Sequence, residues 1–281
     1  MGTDPAARDP ERVREAHRRL APLFGPDRWF QLDVQGWEDL PPGPVLFASN
    51  HSGGTTIPDV WGLMWAWIDR FGVDRPVHAL AHDMIFHVRR VGEVMAGLGV
   101  LRAGPEVGRR VLEEFRRDLF VCPGGDRDTW RPWKDRYKVN FAGRTGYARL
   151  ATGLGVTVVP VANAGAHETF VVLTDGAAMA RRLGFKSRFR AEIFPVHLSL
   201  PWGVGVGPLP HIPWPTVLRY RFGTPIAPGR DPEALDGEVR ASIQGMLDVL
   251  AEDRPRVVAR LRRAARVVAA GVRRQRDEEA G

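Results

Sequence analysis

The sequence predicts an α/β fold: a single domain with a mostly parallel central sheet flanked by helices, followed by a C-terminal amphipathic helix. Three observations predict it. Short apolar runs of strand length alternate with helical patterns through the middle of the chain. Glycine and proline mark most of the changeovers. The chain has 281 residues, 44% of them hydrophobic and 26% charged, enough to bury a sizeable core. No internal repeat and no clear linker divides it.

Residues 1–29 read as an N-terminal helical extension, with a polar start and a short amphipathic helix from about Pro10. The main domain is placed at 30–230. "PGPVLFASN" reads as a short buried strand: a turn, an apolar run, then polar residues at its end. Pro58 suits the first turn of a helix, where its missing N–H costs nothing, and that helix runs to about Arg70 before Gly72 stops it. "RPVHALAH" is a second strand. "EVGRRVLEEFRRD" is a helix with Val107, Val111, Leu112 and Phe115 on one face. "LFVCPGG" is a third strand, "RTGYARLATGLG" a small-residue helix ending at glycine, and "VTVVPVANAG" a fourth strand. Residues 196–215 are dense in Pro, Gly and Trp, which predicts a long apolar loop and argues against a helix or a central strand. The remainder, 231–281, reads as a basic helical segment. Its last part sets Val257, Val258, Leu261, Ala264, Ala265 and Val268 against arginines 254, 256, 260, 262, 263 and 266.

The net charge is +7, with forty Lys and Arg, of which only Lys134, Lys138 and Lys186 are lysines. Such a skew follows codon composition as readily as function, so it does not argue for nucleic acid. It does favour anionic partners such as coenzyme phosphates or lipid headgroups. The single cysteine, Cys122, excludes an internal disulfide and fits a reducing compartment. No run reaches the roughly 18 apolar residues of a membrane span, and the charged N-terminus does not read as a signal peptide. The expectation is a protein that is either free in solution or seated on a membrane face.

In sheets of this kind, function gathers in loops beyond the carboxyl ends of strands. His51, Gly124–Arg127 and Asn163–Glu168 fall there. Histidine becomes a general base when a carboxylate holds its other ring nitrogen. Asp59 is the only carboxylate close after His51, and the loop between them, Ser-Gly-Gly-Thr-Thr-Ile-Pro, can fold the two together. The same residues also fit a capping aspartate with a histidine hydrogen-bonded at a strand end. In "FVCPGGDRD", a strand running into Pro-Gly-Gly offers backbone N–H groups to an anion, and Arg127 adds a bidentate fork. A β-turn with a surface arginine fits these residues too.

Taken together and in order, these segments resemble the glycerolipid O-acyltransferase superfamily of PlsC-like lysophospholipid acyltransferases, and most of all its monoacylglycerol/diacylglycerol-acyltransferase-like branch. The resemblance covers roughly residues 30–230. "NHSGGTTIPD" resembles the block usually written N-H-x4-D. "LGVLRAGPE" is similar to the second block, with Gly99 and Arg102 on its glycine and basic residue. "FVCPGGDRD" resembles the third, F-P-E-G-T-R in phosphate-acceptor enzymes and F-P-G-G-x-R in the neutral-lipid branch. "VTVVPVANAGAHE" resembles the fourth, with Pro160 in the apolar Val-Pro-Val, and "PLPHIPWPTVLRYRFGTPI" the downstream return to a final strand. Two departures stand out. Seven residues separate His51 from Asp59 rather than four, and the four-spaced position is Thr56; extended-loop relatives carry a proline before the aspartate, which assigns the carboxylate role to Asp59. Gly124 stands where phosphatidate-forming enzymes have glutamate, which points away from a lysophosphatidate acceptor.

The resemblance implies a glycerol-phosphate-acyltransferase-like fold and direct acyl transfer. His51 is the implied general base and Asp59 its orienting carboxylate. Gly53 and Gly54 are candidates for holding the oxyanion. Arg102, Gly124, Gly125 and Arg127 are the implied substrate-binding residues. Acyl-CoA or acyl carrier protein is the implied donor, a lipid the acceptor and an anionic membrane surface the partner, with no metal, no bound cofactor and no nucleic acid. The implied place is cytoplasmic, peripheral on the inner face of the membrane.

Other readings are weaker on the residues. Cys122 lies in an apolar strand end with no histidine near it in sequence. Ser52 lacks the G-x-S-x-G elbow of α/β-hydrolases. His78, His82 and His87 lack H-E-x-x-H, "GVGVG" at 203–207 lacks the strand–helix context of a dinucleotide site, and His167 reads as structural or supporting. A non-catalytic, basic lipid- or nucleic-acid-binding protein is the alternative; nine tryptophans would suit it, but no recognised nucleic-acid motif is present. The loop 200–215, with Trp202 and Trp214, and the basic C-terminal helix are the expected contacts with a membrane surface.

Overall fold

Residue parity in one short strand divides the core. Successive side chains of a strand point to opposite faces of its sheet. In "PVLFASN", Leu46 and Ala48 therefore pack to one side, and Val45 and Phe47 to the other. All four residues of this strand, β2 (Leu46–Ser49), are buried. A computed structural model describes residues 1–26, 28–182, 184 and 193–252.

Ahead of β2 lie helix α1 (Pro10–Leu20) and strand β1 (Phe30–Gln35). Asp9 caps α1, its carboxylate accepting from the N–H groups of Glu11 and Arg12. After β2 come α2 (Pro58–Phe71), β3 (Val77–Ala81), α3 (Arg89–Gly97), β4 (Val100–Arg102), α4 (Pro105–Arg109) and β5 (Asp118–Val121). Helix α4 continues as a π-type turn, Arg110–Glu114, with Val107, Val111 and Leu112 buried as their spacing predicts and Phe115 half-buried. The short α5 (Gly125–Thr129), α6 (Gly146–Leu154) and β6 (Val158–Ala164) follow, and Gly155 ends α6 in the left-handed conformation. Strand β7 (Val171–Thr174), α7 (Ala177–Arg182), β8 (Val196–Ser199), β9 (Gly203–Val206), β10 (Thr216–Phe222) and α8 (Pro232–Glu252) complete the described elements.

Seven strands form the main sheet in the order β1-β10-β6-β2-β5-β3-β4, parallel throughout except where β10 meets β6. One face is covered by α4, α6 and α8, with Leu112, Ala148, Val239, Ile243 and Leu247 fully buried against it. The other carries α2, whose Leu63 and Trp67 pack on Phe47, Val161 and Phe222. Helix α8 is thus built into the core; the basic stretch predicted from 254 to 276 lies outside the described residues.

The expected long loop over 196–215 is corrected by the structure. Strands β8 and β9 form a hairpin that pairs antiparallel with β7 in a second, three-stranded sheet. The prolines misled the reading because they stand at the strand ends: Pro195, Pro201 and Pro208 flank β8 and β9 without costing a ladder bond. One side of this sheet packs Phe170 and Val172 against Trp130. The other is open, leaving Trp202 49%, Val204 64% and Val206 51% exposed.

Candidate active site

The chain leaves β2 between two parallel neighbours, β5 and β6, so Asn50 and His51 emerge at the centre of the sheet's carboxyl edge. Asn163, at the end of β6, holds this exit. Its N–H donates to Asn50 Oδ1 at 2.8 Å, its carbonyl accepts from Asn50 Nδ2 at 2.9 Å, and its Oδ1 accepts from Ser52 Oγ at 2.6 Å. Its Nδ2 also donates to the Asn50 carbonyl. The backbone on either side of His51 is therefore fixed by side-chain bonds, where no strand partner remains to fix it.

The seven-residue spacing is solved by local conformation. Gly53 has φ +97°, a left-handed value that glycine adopts without a Cβ penalty. A single 3₁₀ turn, Gly54–Thr56, and Ile57 at φ +40° then swing the chain into α2. Pro58 opens that helix and Asp59 follows it, at an N-terminus that favours a carboxylate. His51 Nδ1 and Asp59 Oδ2 lie 2.7 Å apart, and the same oxygen accepts the Ser52 N–H at 2.7 Å. Tyr220 donates its hydroxyl to the Asp59 carbonyl at 2.7 Å. Thr56 Oγ1 lies instead 3.3 Å from the Gly53 carbonyl and 3.4 Å from His211, so the four-spaced position has no part in holding His51.

Since a carboxylate only accepts, His51 carries its proton on Nδ1 and leaves Nε2 with a lone pair. The His51 side chain is 15% exposed and that of Asp59 only 2%. Burial pulls the imidazole pKa down, but the charge and hydrogen bond of Asp59, with the charge of Asp128, outweigh it and hold His51 above its ordinary value.

Asp128 and Arg131 are site residues that the sequence reading missed. Asp128 Oδ2 accepts the His51 N–H at 2.5 Å, and Arg131 Nη1 donates to Asp128 Oδ1 at 2.5 Å and to the His51 carbonyl at 2.7 Å. Both side chains are buried. His167 Nε2 donates to the Arg131 carbonyl at 2.6 Å, and burial beside Arg131 holds that imidazole neutral. The only signal in the sequence was an aspartate one residue past Arg127.

The third block makes this contact possible. A Cβ on Gly124 would meet the Asn140 carbonyl oxygen at 2.2 Å and Asp128 Cβ at 2.4 Å, so only glycine lets these segments close. The Gly125 N–H is taken by the Cys122 carbonyl at 3.1 Å, and Arg144 donates to the Gly124 carbonyl at 3.0 Å. Arg127 is half-buried on α5. Gly53 and Gly54 are buried beside His51, Gly54 against His211, Phe170 and Trp130. Arg102 stands apart from this group on the edge strand β4, three strand spacings or about 14 Å from β2. Its Nε lies 3.6 Å from Asp83 Oδ1 and its guanidinium over the Phe86 ring.

Cys122 is half-buried, and burial together with Asp59 and Asp128 pushes its thiol well above the usual range, which keeps it unreactive. His78 is wholly buried, with Nδ1 3.1 Å from the Gly99 carbonyl and Nε2 3.2 Å from Arg117. His82 caps the turn that follows β3. Among the described residues no group of three or more His, Cys, Asp and Glu is placed to hold a metal ion.

A family profile described as Acyltransferase matches residues 31–164, the stretch that runs from β1 through His51, Asp59, Asp128 and Arg131 to the end of β6. Residues 31–164 belong to the acyltransferase family. An uncharacterized protein of Mycobacterium leprae is 32% identical over 200 residues, covering 70% of this chain and 51% of that protein. Uncharacterized proteins of Mycobacterium bovis and Mycobacterium tuberculosis are 30% identical over 200 residues, covering 70% of this chain and 52% of each. The chain thus spans about half the length of the curated relatives it matches. The acyltransferase fold is seen directly in the crystal structure of the 1-acyl-sn-glycerophosphate acyltransferase PlsC from Thermotoga maritima. That chain superposes with a TM-score of 0.54 at 16% identity, covering 88% of this chain and 80% of that one.

A groove of about 1170 Å³ runs between α1, α2 and α3. Leu20, Phe24, Phe30, Trp61 and Leu98 line it, and it reaches Thr56 and Pro58, immediately before Asp59. Among the described residues no helix is long and apolar enough to cross a membrane.

Proposed function

We propose that this chain is an O-acyltransferase that moves a fatty acyl group from a thioester, acyl-CoA or acyl carrier protein, to a hydroxyl of a glycerolipid-type acceptor. The observation that carries the reading is the 2.7 Å contact between His51 Nδ1 and Asp59 Oδ2, which leaves Nε2 as the base. The acceptor hydroxyl gives its proton to His51 Nε2, and its oxygen bonds to the thioester carbonyl carbon. The tetrahedral intermediate then collapses: the C–S bond breaks, and the sulfur takes the proton back from His51 as the thiol leaves. Asp59 holds the ring and balances the imidazolium. Gly53 and Gly54 are the candidates for stabilising the oxyanion. Arg127, and more remotely Arg102, would attract the anionic groups of donor or acceptor.

A lipid acceptor is supported by the groove, apolar along Leu20, Phe24, Phe30 and Trp61, that reaches Pro58, the residue before Asp59. Work at an anionic membrane surface is supported by the exposed Trp202, Val204 and Val206 of the β8–β9 hairpin and by the exposed Ile212 and Trp214 of the segment that follows it. The test is thiol release from acyl-CoA in the presence of vesicle-borne monoacylglycerol, diacylglycerol and lysophospholipid. His51→Ala should lower turnover by 10²–10⁴-fold with an unchanged circular dichroism spectrum. A variant retaining more than about a tenth of wild-type turnover would remove His51 from the role of base.

A further inference from the structure

Between the exposed hairpin and the catalytic loop runs one short segment, Pro208–Ile212. On one side it is bonded to the hairpin. Trp202 Nε1 donates to the Pro210 carbonyl at 2.6 Å, and the Ile212 N–H donates to the Leu200 carbonyl at 2.8 Å. On the other side it is bonded to the loop after His51. Thr55 Oγ1 donates to the Pro208 carbonyl at 2.8 Å, and His211 Nε2 lies 3.4 Å from Thr56 Oγ1. His211 is itself fixed: it is buried, stacks on Phe170 with ring centroids 4.3 Å apart, and has Trp130 at 6.4 Å. The Gly54 backbone lies so close that a Cβ there would meet His211 Cε1 and Phe170 Cζ at 2.9 Å. Trp130 follows Asp128 by two residues on the turn that holds the His51 N–H.

We propose that Pro208–Ile212 is a strap coupling the β8–β9 hairpin to the Gly53–Gly54 turn, so that contact of the hairpin with a lipid surface steadies the turn beside His51, with His211 as its positioning residue. The physical basis is a shared ordering cost. Three of the four tethers are direct hydrogen bonds of ordinary length, one of them the single antiparallel bridge between Leu200 and Ile212. A hairpin immobilised on a lipid surface removes freedom from the strap, and the turn then pays less to stay in its left-handed conformation. His211 has its pKa lowered to about 4, by burial first and by His197 second, so it remains neutral at ordinary pH and acts through packing and position. The proposal rests on the reading that the chain works at a lipid surface.

Amide hydrogen exchange of the whole chain, with and without vesicles of phosphatidylglycerol and phosphatidylcholine, tests it without needing the acceptor. In the wild type, vesicles should slow exchange both at 200–206 and at 52–57. Thr55→Val deletes the hydroxyl at an exposed site, so its fold is safe. It should exchange about fivefold faster at 52–57 in solution, the effect of one lost hydrogen bond. Vesicles should then protect only 200–206. Trp202→Phe keeps an aromatic ring for the lipid but loses the donor to Pro210, and should behave likewise. Protection at 200–206 with no change at 52–57 in the wild type overturns the coupling and leaves the lipid-surface reading standing, as does wild-type behaviour in both variants. No vesicle protection at 200–206 removes the lipid-surface reading and the coupling with it. Retention of turnover by His51→Ala would sink the base assignment without altering any of these exchange results.

Discussion

His51 and Asp128 are joined through the backbone: the His51 N–H donates to Asp128 Oδ2 at 2.5 Å while the imidazole turns the other way, to Asp59. Two carboxylates therefore flank one histidine with separate tasks. Asp59 sets the tautomer, and Asp128 with Arg131 fixes the path of the chain that carries the ring.

The first prediction concerns pH. A histidine accepts a proton only when neutral, and the His51 pKa stands above the ordinary histidine value because Asp59 and Asp128 outweigh burial. The acid limb of the rate profile should therefore lie above pH 6.5, with activity rising as pH rises through it. Asp59→Asn removes the larger of the two raising charges. It should cut kcat at least about a hundredfold and move the residual acid limb to lower pH. Thr56→Ala should stay within about threefold of wild type, since a hydrogen bond as long as those Thr56 makes is weak. An unshifted limb in Asp59→Asn would contradict the assignment.

The second concerns the buried pair. Arg131→Met leaves the Asp128 carboxylate buried with only the backbone N–H groups of His51 and Asn140 to offset its desolvation. Denaturant titration should show a loss of about 3–5 kcal/mol. The double variant Arg131→Met, Asp128→Asn should recover part of that loss, because no charge is then stranded. Turnover should remain low in both, for the His51 carbonyl has lost the Arg131 donor that helps fix it.

Acid stability supplies the third. Burial, then the charges of Arg117 and Arg8, lower His78 to about 4. Its folded pKa is depressed, so as pH falls below 6.5 the unfolded chain takes up the proton first and stability drains away until about pH 4. His78→Gln removes this proton uptake. Between pH 6.5 and 4 the wild type should lose up to about 3 kcal/mol more than the variant. Parallel stability curves for the two proteins would refute it.

Vesicle co-sedimentation checks the fourth. Binding to phosphatidylglycerol vesicles should exceed binding to phosphatidylcholine and weaken with salt. Trp202→Ser with Trp214→Ser should reduce it at least about tenfold, the scale of one buried aromatic or more. Truncation after Glu252 should reduce it further, since the removed segment is rich in arginine. Equal and negligible pelleting with both vesicle types at low salt would rule this surface out.

The main sheet was legible in the sequence because β2, β5 and β6 are buried on both faces and read as unbroken apolar runs between glycine and proline. His51 and Asp59 were legible because one loop holds both. Strand β1 was not, since "FQLDVQ" is only partly buried at the sheet edge and its partner β10 lies far along the chain. The second sheet is not legible in composition, because Pro195, Pro201 and Pro208 stand just outside its ladders. Asp128 and Arg131 escape sequence reading for a common reason: each serves the backbone around His51, and such a role leaves no spacing pattern in the sequence; Asn163 is legible only as a residue at the carboxyl end of a strand. Arg102 was suggested by its block, yet three strand spacings separate it from the dyad.

The place of β1 has a consequence for how the molecule is made. Among the described strands it pairs with β10 alone, with Phe30 opposite Thr216 and Gln35 opposite Arg221. A ribosome releases β1 early and its mate about 180 residues later, so closing this edge means closing a very long loop. Throughout that interval the nascent chain carries an unclaimed edge, and β6 waits as well for the antiparallel neighbour that β10 brings. The stretch 31–164 holds His51 and Asp59, but it stops short of the strand that seals two of its own. The segment that carries the His51–Asp59 pair is therefore synthesised well before it is complete as a folding unit.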